Sequence, residues 1–112
     1  VPGSGLSAIV SADRDGRISA WNEAAEQVLG YSAADAIGQS LDLIIPVEER
    51  SDHWHGFRRA MTKGLLNYRP DHVLDVEGLR RDGTRVKLDV SLAGIHDQAG
   101  HLVGVTAIIR EA

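Results

Sequence analysis

Ser11–Asn22, SADRDGRISAWN, decides how this chain folds, and Glu23–Leu41, EAAEQVLGYSAADAIGQSL, follows directly behind it. Asp15-Gly16 stands between two β-rich runs. That is a strong short-range hairpin signal, because glycine supplies the positive φ a tight turn needs. Leu6–Ala12 and Ile18–Trp21 are read as the two strands. Asn22 precedes Glu23-Ala24-Ala25-Glu26, where its side chain can cap the free N–H groups of a helix start. Ala24, Ala25, Val28 and Leu29 recur at helical spacing, so Glu23–Leu29 is read as a short helix closed by Gly30 and Tyr31. Ser32, with Asp35 three residues on, is a capping pattern for a second short helix, Ser32–Ile37, ended by Gly38.

Working outward, Leu41–Ile45 is an apolar run stopped by Pro46. Glu48–Lys63 is the longest helical candidate. Its acidic residues lie at the start and its basic residues further along, as the helix dipole favours, and Gly64 follows as a C-cap. Beyond it the period changes. His72–Leu79 is a mixed strand, and Asp82-Gly83 is a second tight turn. Arg85–Leu92 then alternates, with Val86, Leu88, Val90 and Leu92 on one face and Arg85, Lys87, Asp89 and Ser91 on the other. Asp97–Gly100 makes the next turn. Leu102–Ile109 is the last strand, apolar on both faces except at Thr106. Two strands, a helical middle and three strands predict an α+β domain built on a five-stranded antiparallel sheet, with the helical segment packed on one face.

The chain has 112 residues, 43% of them hydrophobic, and only five are Trp, Tyr or Phe. One domain with a mostly aliphatic core is expected. The net charge is −4, and the twelve Lys and Arg residues form no continuous tract, which argues against nucleic acid as a partner. With no cysteine there is no disulfide, thiolate metal site or cysteine nucleophile, in keeping with a reducing cytoplasm. No apolar run is long enough to span a membrane. Val1–Gly5, VPGSG, is read as a linker or cloning remnant before one domain over residues 6–112, cut from a longer protein. No nucleophile elbow, phosphate loop or acid/base pair stands out, so an enzyme is not expected.

The order of elements, with ADRDGRISAWNEAAEQVLGY early and GLRRDGTRVKLDVSLAGIHDQAGHLVGVTAIIRE late, resembles a PAS domain over residues 6 to 111. The resemblance implies a sensory module of a bacterial-type signalling protein. In that family the space between the sheet and the long middle helix holds a ligand or cofactor, or packs shut. A narrower stretch, Pro46-Val47-Glu48-Glu49-Arg50-Ser51-Asp52-His53, is similar to the haem-bearing PAS domains of oxygen-sensing kinases, with Gly64 at a comparable distance beyond. Carried across, the match makes His53 the axial ligand of a haem b iron. The position matching a gas-stabilising Arg of that group falls near Leu74, which implies an apolar distal side suited to carbon monoxide, nitric oxide or redox sensing. The flavin photoreceptor branch needs a reactive Cys, and this chain has none.

Helix geometry bears on the same residue. In a helix over Glu48–Lys63, His53 shares a face with Phe57, Ala60 and Met61, whereas His55 lies with Arg58, Arg59 and Thr62 on a solvated face. His55, His72, His96 and His101 are therefore read as surface residues. The expected lining from the helical side is His53, Trp54, Phe57, Met61 and Ile45. From the sheet it is Val86, Leu88, Val90, Val105, Ala107 and Ile109. A ligand signal would leave through Arg110-Glu111 to an output domain. The alternative is a ligand-free module that dimerises or docks through the outer sheet face, which the two-sided apolarity of Leu102–Ile109 favours. A metabolite or fatty-acid pocket is a third reading.

Overall fold

The computed structural model describes residues 7–69 and 71–112. The linker reading of residues 1–5, and Leu6 at the head of the first expected strand, lie outside the described residues. Five strands form one antiparallel sheet: β1 (Ala8–Asp13), β2 (Ile18–Trp21), β3 (Leu74–Leu79), β4 (Arg85–His96) and β5 (Leu102–Glu111), in the order β2-β1-β5-β4-β3. Between β2 and β3 run α1 (Glu23–Leu29), α2 (Ala33–Ala36), two 3-10 turns at Leu41–Ile44 and Val47–Glu49, and α3 (Arg50–Lys63). The expected α+β architecture is what the chain adopts.

Local chemistry explains the first half. Gly16 takes φ +79°, which the β1–β2 turn requires, and its N–H donates to the Asp13 carbonyl at 3.0 Å. Asn22 caps α1: its Oδ1 accepts from Ala25 N at 2.9 Å. The same amide spans to β1, with Oδ1 accepting from Ile9 N at 2.9 Å and Nδ2 donating to the Ser7 carbonyl at 3.0 Å. One side chain thus fixes the helix start against the strand it packs on. Gly30 closes α1 in the left-handed region. Ser32 caps α2 through Asp35 N, and Glu26 Oε2 accepts from Ala33 N at 2.6 Å.

The late Arg80-Arg81-Asp82-Gly83 stretch meets α1 in space. Arg80 Nε donates to the Val28 carbonyl at 3.1 Å, and Arg81 N donates to the Leu29 carbonyl at 3.0 Å. These are the carbonyls a helix end leaves without intrahelical donors. Arg81 also lies over the Tyr31 ring, 5.8 Å from its centroid. The core is aliphatic as expected. Ala8, Val10, Ile18, Ala24, Ala25, Leu29, Val86, Leu88, Val90 and Ile109 are buried with Trp21, whose Nε1 donates to the Tyr31 carbonyl at 2.9 Å.

Several boundaries differ from expectation: β1 runs on to Asp13, α2 shortens to Ala33–Ala36, β3 begins at Leu74, β5 reaches Glu111, and three differences are larger. Leu41–Ile44 winds into a 3-10 turn, with Ser40 Oγ accepting from Asp42 N. The long helix begins at Arg50, after a separate 3-10 turn at Val47–Glu49. Strand β4 continues past Leu92 to His96, paired with β5 as far as Leu102 across a register shift at Ile95/His96.

Candidate functional site

Partners across an antiparallel ladder share a face, so the register sorts the residues of the sheet. One inner row is Ala8, Ile109, Val90 and Leu74; the next is Val10, Ala107 and Leu92; the third is Ala12, Val105 and Gly94. In the first row Ala8, Ile109 and Val90 are buried. That end of the sheet lies in one cluster with Ala24, Ala25 and Leu29 of α1 and Ala36 of α2. In the other two rows Val10 and Ala12 of β1 are buried, whereas Ala107, Leu92 and Val105 are half-buried although β5 and β4 are interior strands, with Leu92 and Ala107 packed against the same core. The inner face is closed at the α1 end and along β1, and half-open over β4 and β5 in the other two rows. Besides the 3-10 turn before it, α3 approaches β5, and its Ala60 and Met61 are buried.

Expected site residues divide along this line. Val86, Leu88, Val90 and Ile109 sit in the closed core. Val105 and Ala107 belong to the half-open rows. Ile45 is half-buried just before Pro46, and its carbonyl accepts from Arg50 Nε at 3.0 Å. On α3, Ala60 and Met61 are buried, His53 and Phe57 are half-buried, and His55, Arg58, Arg59 and Thr62 are exposed. The helical-face argument therefore places His53 and His55 on opposite sides, as expected. His72, His96 and His101 are exposed as well. His72 stacks on Tyr68, and His101 pairs with Asp97.

His53 Nδ1 is buried and has no hydrogen-bond partner among the described residues. Its ring meets Trp54 edge-on, with centroids 4.7 Å apart, and lies 5.9 Å from Phe57. Burial pushes the imidazole below its ordinary pKa, and the Asp42 carboxylate pulls weakly the other way. The ring is thus neutral at pH 7. A buried polar atom left unpaired costs about 1–3 kcal/mol, and this nitrogen is the one buried side-chain N or O without a partner among the described residues.

Those features bear directly on metal chemistry. Among the described residues no three metal-ligating side chains cluster, so a bare ion has no protein cage there. Haem brings its own equatorial donors and asks the protein for an axial one. A neutral imidazole with an unshared nitrogen against apolar neighbours fits that requirement. Room for the macrocycle would have to come from the half-open rows beneath α3.

Trp54 has contacts of its own that the sequence did not disclose. Its Nε1 donates to Asp42 Oδ1 at 2.6 Å, and its six-membered ring lies against Gly16 of the β1–β2 turn. Arg50 Nη2 donates to the Asp42 carbonyl at 3.1 Å, so the first 3-10 turn is held to α3 at two points. A cleft of about 410 Å³ opens here, lined by Asp15, Arg17, Ser40, Asp42, Trp54 and Arg58. A second cleft of about 520 Å³ lies by the end of α1, against Arg80, Arg81 and Asp82. His53 borders neither. The roles of Asp42 and Gly16 were missed because Gly16 already had a sufficient reason in its hairpin turn, and Asp42 sits in an apolar run without period.

A twisted five-stranded sheet with helices grouped on one face, half-open beneath the last of them, defines the class of small α+β sensor domains. The chain belongs to the PAS domain family, whose family model matches residues 6–111. It is similar to the sensor protein FixL of Bradyrhizobium diazoefficiens, at 30% identity over 108 residues, covering 93% of this chain and 20% of that protein. An uncharacterized protein of Azorhizobium caulinodans is 34% identical over 80 residues, 70% of this chain and 11% of its own length. The chain spans a fifth or less of the curated relatives it matches. Among solved structures, the PAS domain of a protein from Colwellia psychrerythraea superposes with TM-score 0.79 at 24% identity, over 95% of this chain and 86% of that one. An RNA-binding light-oxygen-voltage receptor gives TM-score 0.71 at 22% identity, over 96% and 30% respectively. These likenesses establish the fold. No helix among the described residues is long and apolar enough to cross a membrane.

Proposed function

We propose that this chain is the non-catalytic sensory PAS domain of a cytoplasmic signalling protein, holding haem b between α3 and the inner face of the sheet with His53 on the iron. The observation that supports it most is the buried, unpartnered Nδ1 of an imidazole whose neutral form burial favours, on a helix whose His55, Arg58 and Arg59 are exposed. The Pro46-to-His53 resemblance to haem-bearing PAS domains points to the same side chain. Bound haem would supply an iron centre sensitive to small gases and redox state. His53 would hold the iron through its imidazole. Phe57, Met61, Ile45, Val105 and Ala107 would exclude water, and Val86, Leu88, Val90 and Ile109 would form the rigid floor behind them. A changed contact at the half-open rows would shift the packing of β5 and leave through Arg110-Glu111 toward an output domain.

The test is to express the domain with haem supplied and record its absorption spectrum. The proposal predicts an intense haem band in the wild type, displaced or lost in His53→Ala and unchanged in His55→Ala. A colourless wild type, or a spectrum indifferent to His53→Ala, contradicts it.

A second reading, a ligand-free module that forms a homodimer, is favoured by one feature. Ile9 and Ile108 pair across β1 and β5 on the outer face and are 39% and 43% exposed. Side-by-side apolar residues on an open sheet face invite a partner. On that reading Ile108→Asp turns a sedimenting dimer into a monomer, and mass spectrometry finds no co-purified small molecule. A monomeric wild type contradicts it.

A further inference from the structure

Ring orientation at His53 depends on how α3 is rotated about its own axis, and the next residue in the chain, Trp54, makes contacts with two other segments. Trp54 is half-buried, donates to Asp42 Oδ1 at 2.6 Å and rests its ring on Gly16. A Cβ built on Gly16 would overlap Trp54 Cη2 and Cζ3, so only the bare glycine backbone leaves room for the indole. The ring also meets His53 and Phe57 edge-on, at 4.7 and 5.3 Å between centroids. Asp42 is fixed in turn, because its carbonyl accepts from Arg50 Nη2 and its N–H donates to Ser40 Oγ. Three segments far apart in sequence therefore converge on one indole: the β1–β2 turn, the first 3-10 turn and α3.

We infer that Trp54 is a positioning residue: seated on Gly16 and tied to Asp42, it fixes the rotation of α3 and so aims His53 at the inner face of the sheet. The inference rests on the reading of His53 as the ligand-facing residue. It assigns Trp54 a role in holding the helix in place of lining a ligand chamber. Successive side chains on a helix point about a quarter-turn apart, so locking one direction locks its neighbour's.

A second tight turn supplies an internal control. Gly16 and Gly83 both adopt left-handed backbone, at φ +79° and +87°, and each follows an Asp. An added Cβ at Gly83 meets nothing within 4 Å, whereas at Gly16 it meets the indole. Gly16→Ala and Gly83→Ala therefore impose similar backbone strain, and only the first displaces Trp54. Trp54→Phe removes the N–H without touching either turn.

The readout is carbethoxylation of the haem-free domain by diethyl pyrocarbonate, followed by peptide mass spectrometry, with exposed His55 as the internal standard. In the wild type and in Gly83→Ala, His53 should react about tenfold more slowly than His55, and in Gly16→Ala and Trp54→Phe the two rates should converge. Equal protection of His53 in all four proteins overturns the inference. Equal loss in Gly16→Ala and Gly83→Ala overturns it too, since turn strain alone would then suffice. The haem proposal stands or falls separately. If the wild type takes up no haem yet Gly16→Ala and Trp54→Phe expose His53 while Gly83→Ala does not, the clamp holds and the cofactor reading fails. If haem binds and the variants protect His53 equally, the reverse follows.

Discussion

At the scale of single residues, Asn22 ties the start of α1 to the segment that carries β1. Its amide caps α1 and bonds both Ile9 N and the Ser7 carbonyl, so three backbone groups lose their partner if it is truncated. Asn22→Ala should destabilise the domain by about 2 kcal/mol, the upper end of the capping range, because strand and helix groups are orphaned together. Urea unfolding with an unchanged m-value checks it, and a loss below about 0.5 kcal/mol would show that water replaces the amide at little cost. The cap was legible in the sequence, since an Asn before Glu-Ala-Ala-Glu has few other uses. The bonds to β1 were not, because nothing local in a sequence tells which strand passes a helix start. His53 was legible for a different reason: helical periodicity alone separates it from His55 two residues on. Its unsatisfied Nδ1 is a property of the packed interior and has no sequence signature.

At the scale of elements, the sheet could be read wherever turn chemistry and alternation agreed. Both Asp-Gly turns sit where the chain reverses, and β2 and α1 have the expected limits. The weakly patterned pieces went unread. Leu41–Ile44 is apolar except at Asp42 and shows no clear period, which fits a buried strand and a 3-10 turn equally well. The extension of β4 through Ala93 and Gly94 lacks the β-branched residues that mark a strand, and it is held by pairing to β5. The contact that anchors the N-terminal side of α3 was also invisible in the sequence. Glu48, in the 3-10 turn just before the helix, forms a two-point ion pair with Arg85 at the start of β4, and Arg85 also reaches Glu77 of β3 at 3.4 Å. The Arg85 guanidinium holds the Glu48 carboxyl down at about 2, from an ordinary value of 4.5. A depressed carboxylate stabilises the fold above its unfolded pKa, and that contribution is lost as pH falls from 4.5 toward about 2. The pair is exposed, so solvent and salt keep its contribution small. The urea midpoint of the wild type should fall more steeply over that acid window than that of Glu48→Gln, with the difference shrinking in high salt. Parallel pH profiles for the two proteins would show that the pair contributes nothing to the anchoring of α3.

At the scale of the whole molecule, the domain is asymmetric. The α1 end of the inner face is sealed by Ala24, Ala25, Leu29 and Ala36, and the arginines after β3 lock the end of α1 to it. Below α3, the rows through Ala107, Leu92 and Val105 stay half-buried, and α3 is held by polar contacts near its first turns: Arg50 and Trp54 to the Asp42 segment, and Glu48 just before it to Arg85. The last turn of α3 adds only Ala60 and Met61 as buried side chains, so the helix rests on a small apolar contact over a surface that is partly uncovered. That division, a rigid floor with an adjustable cover, is what a sensor domain needs to convert a change at a ligand into a change along β5. The central claim is that His53 is the group this cover presents to the ligand. Resonance Raman spectroscopy of the ferrous, haem-loaded domain tests it most directly through the iron–histidine stretch. The account predicts that band in the wild type and in His55→Ala, its disappearance in His53→Ala, and its return when free imidazole is added to His53→Ala. An iron–histidine band that survives His53→Ala, or a wild-type domain that takes up no haem, would contradict it.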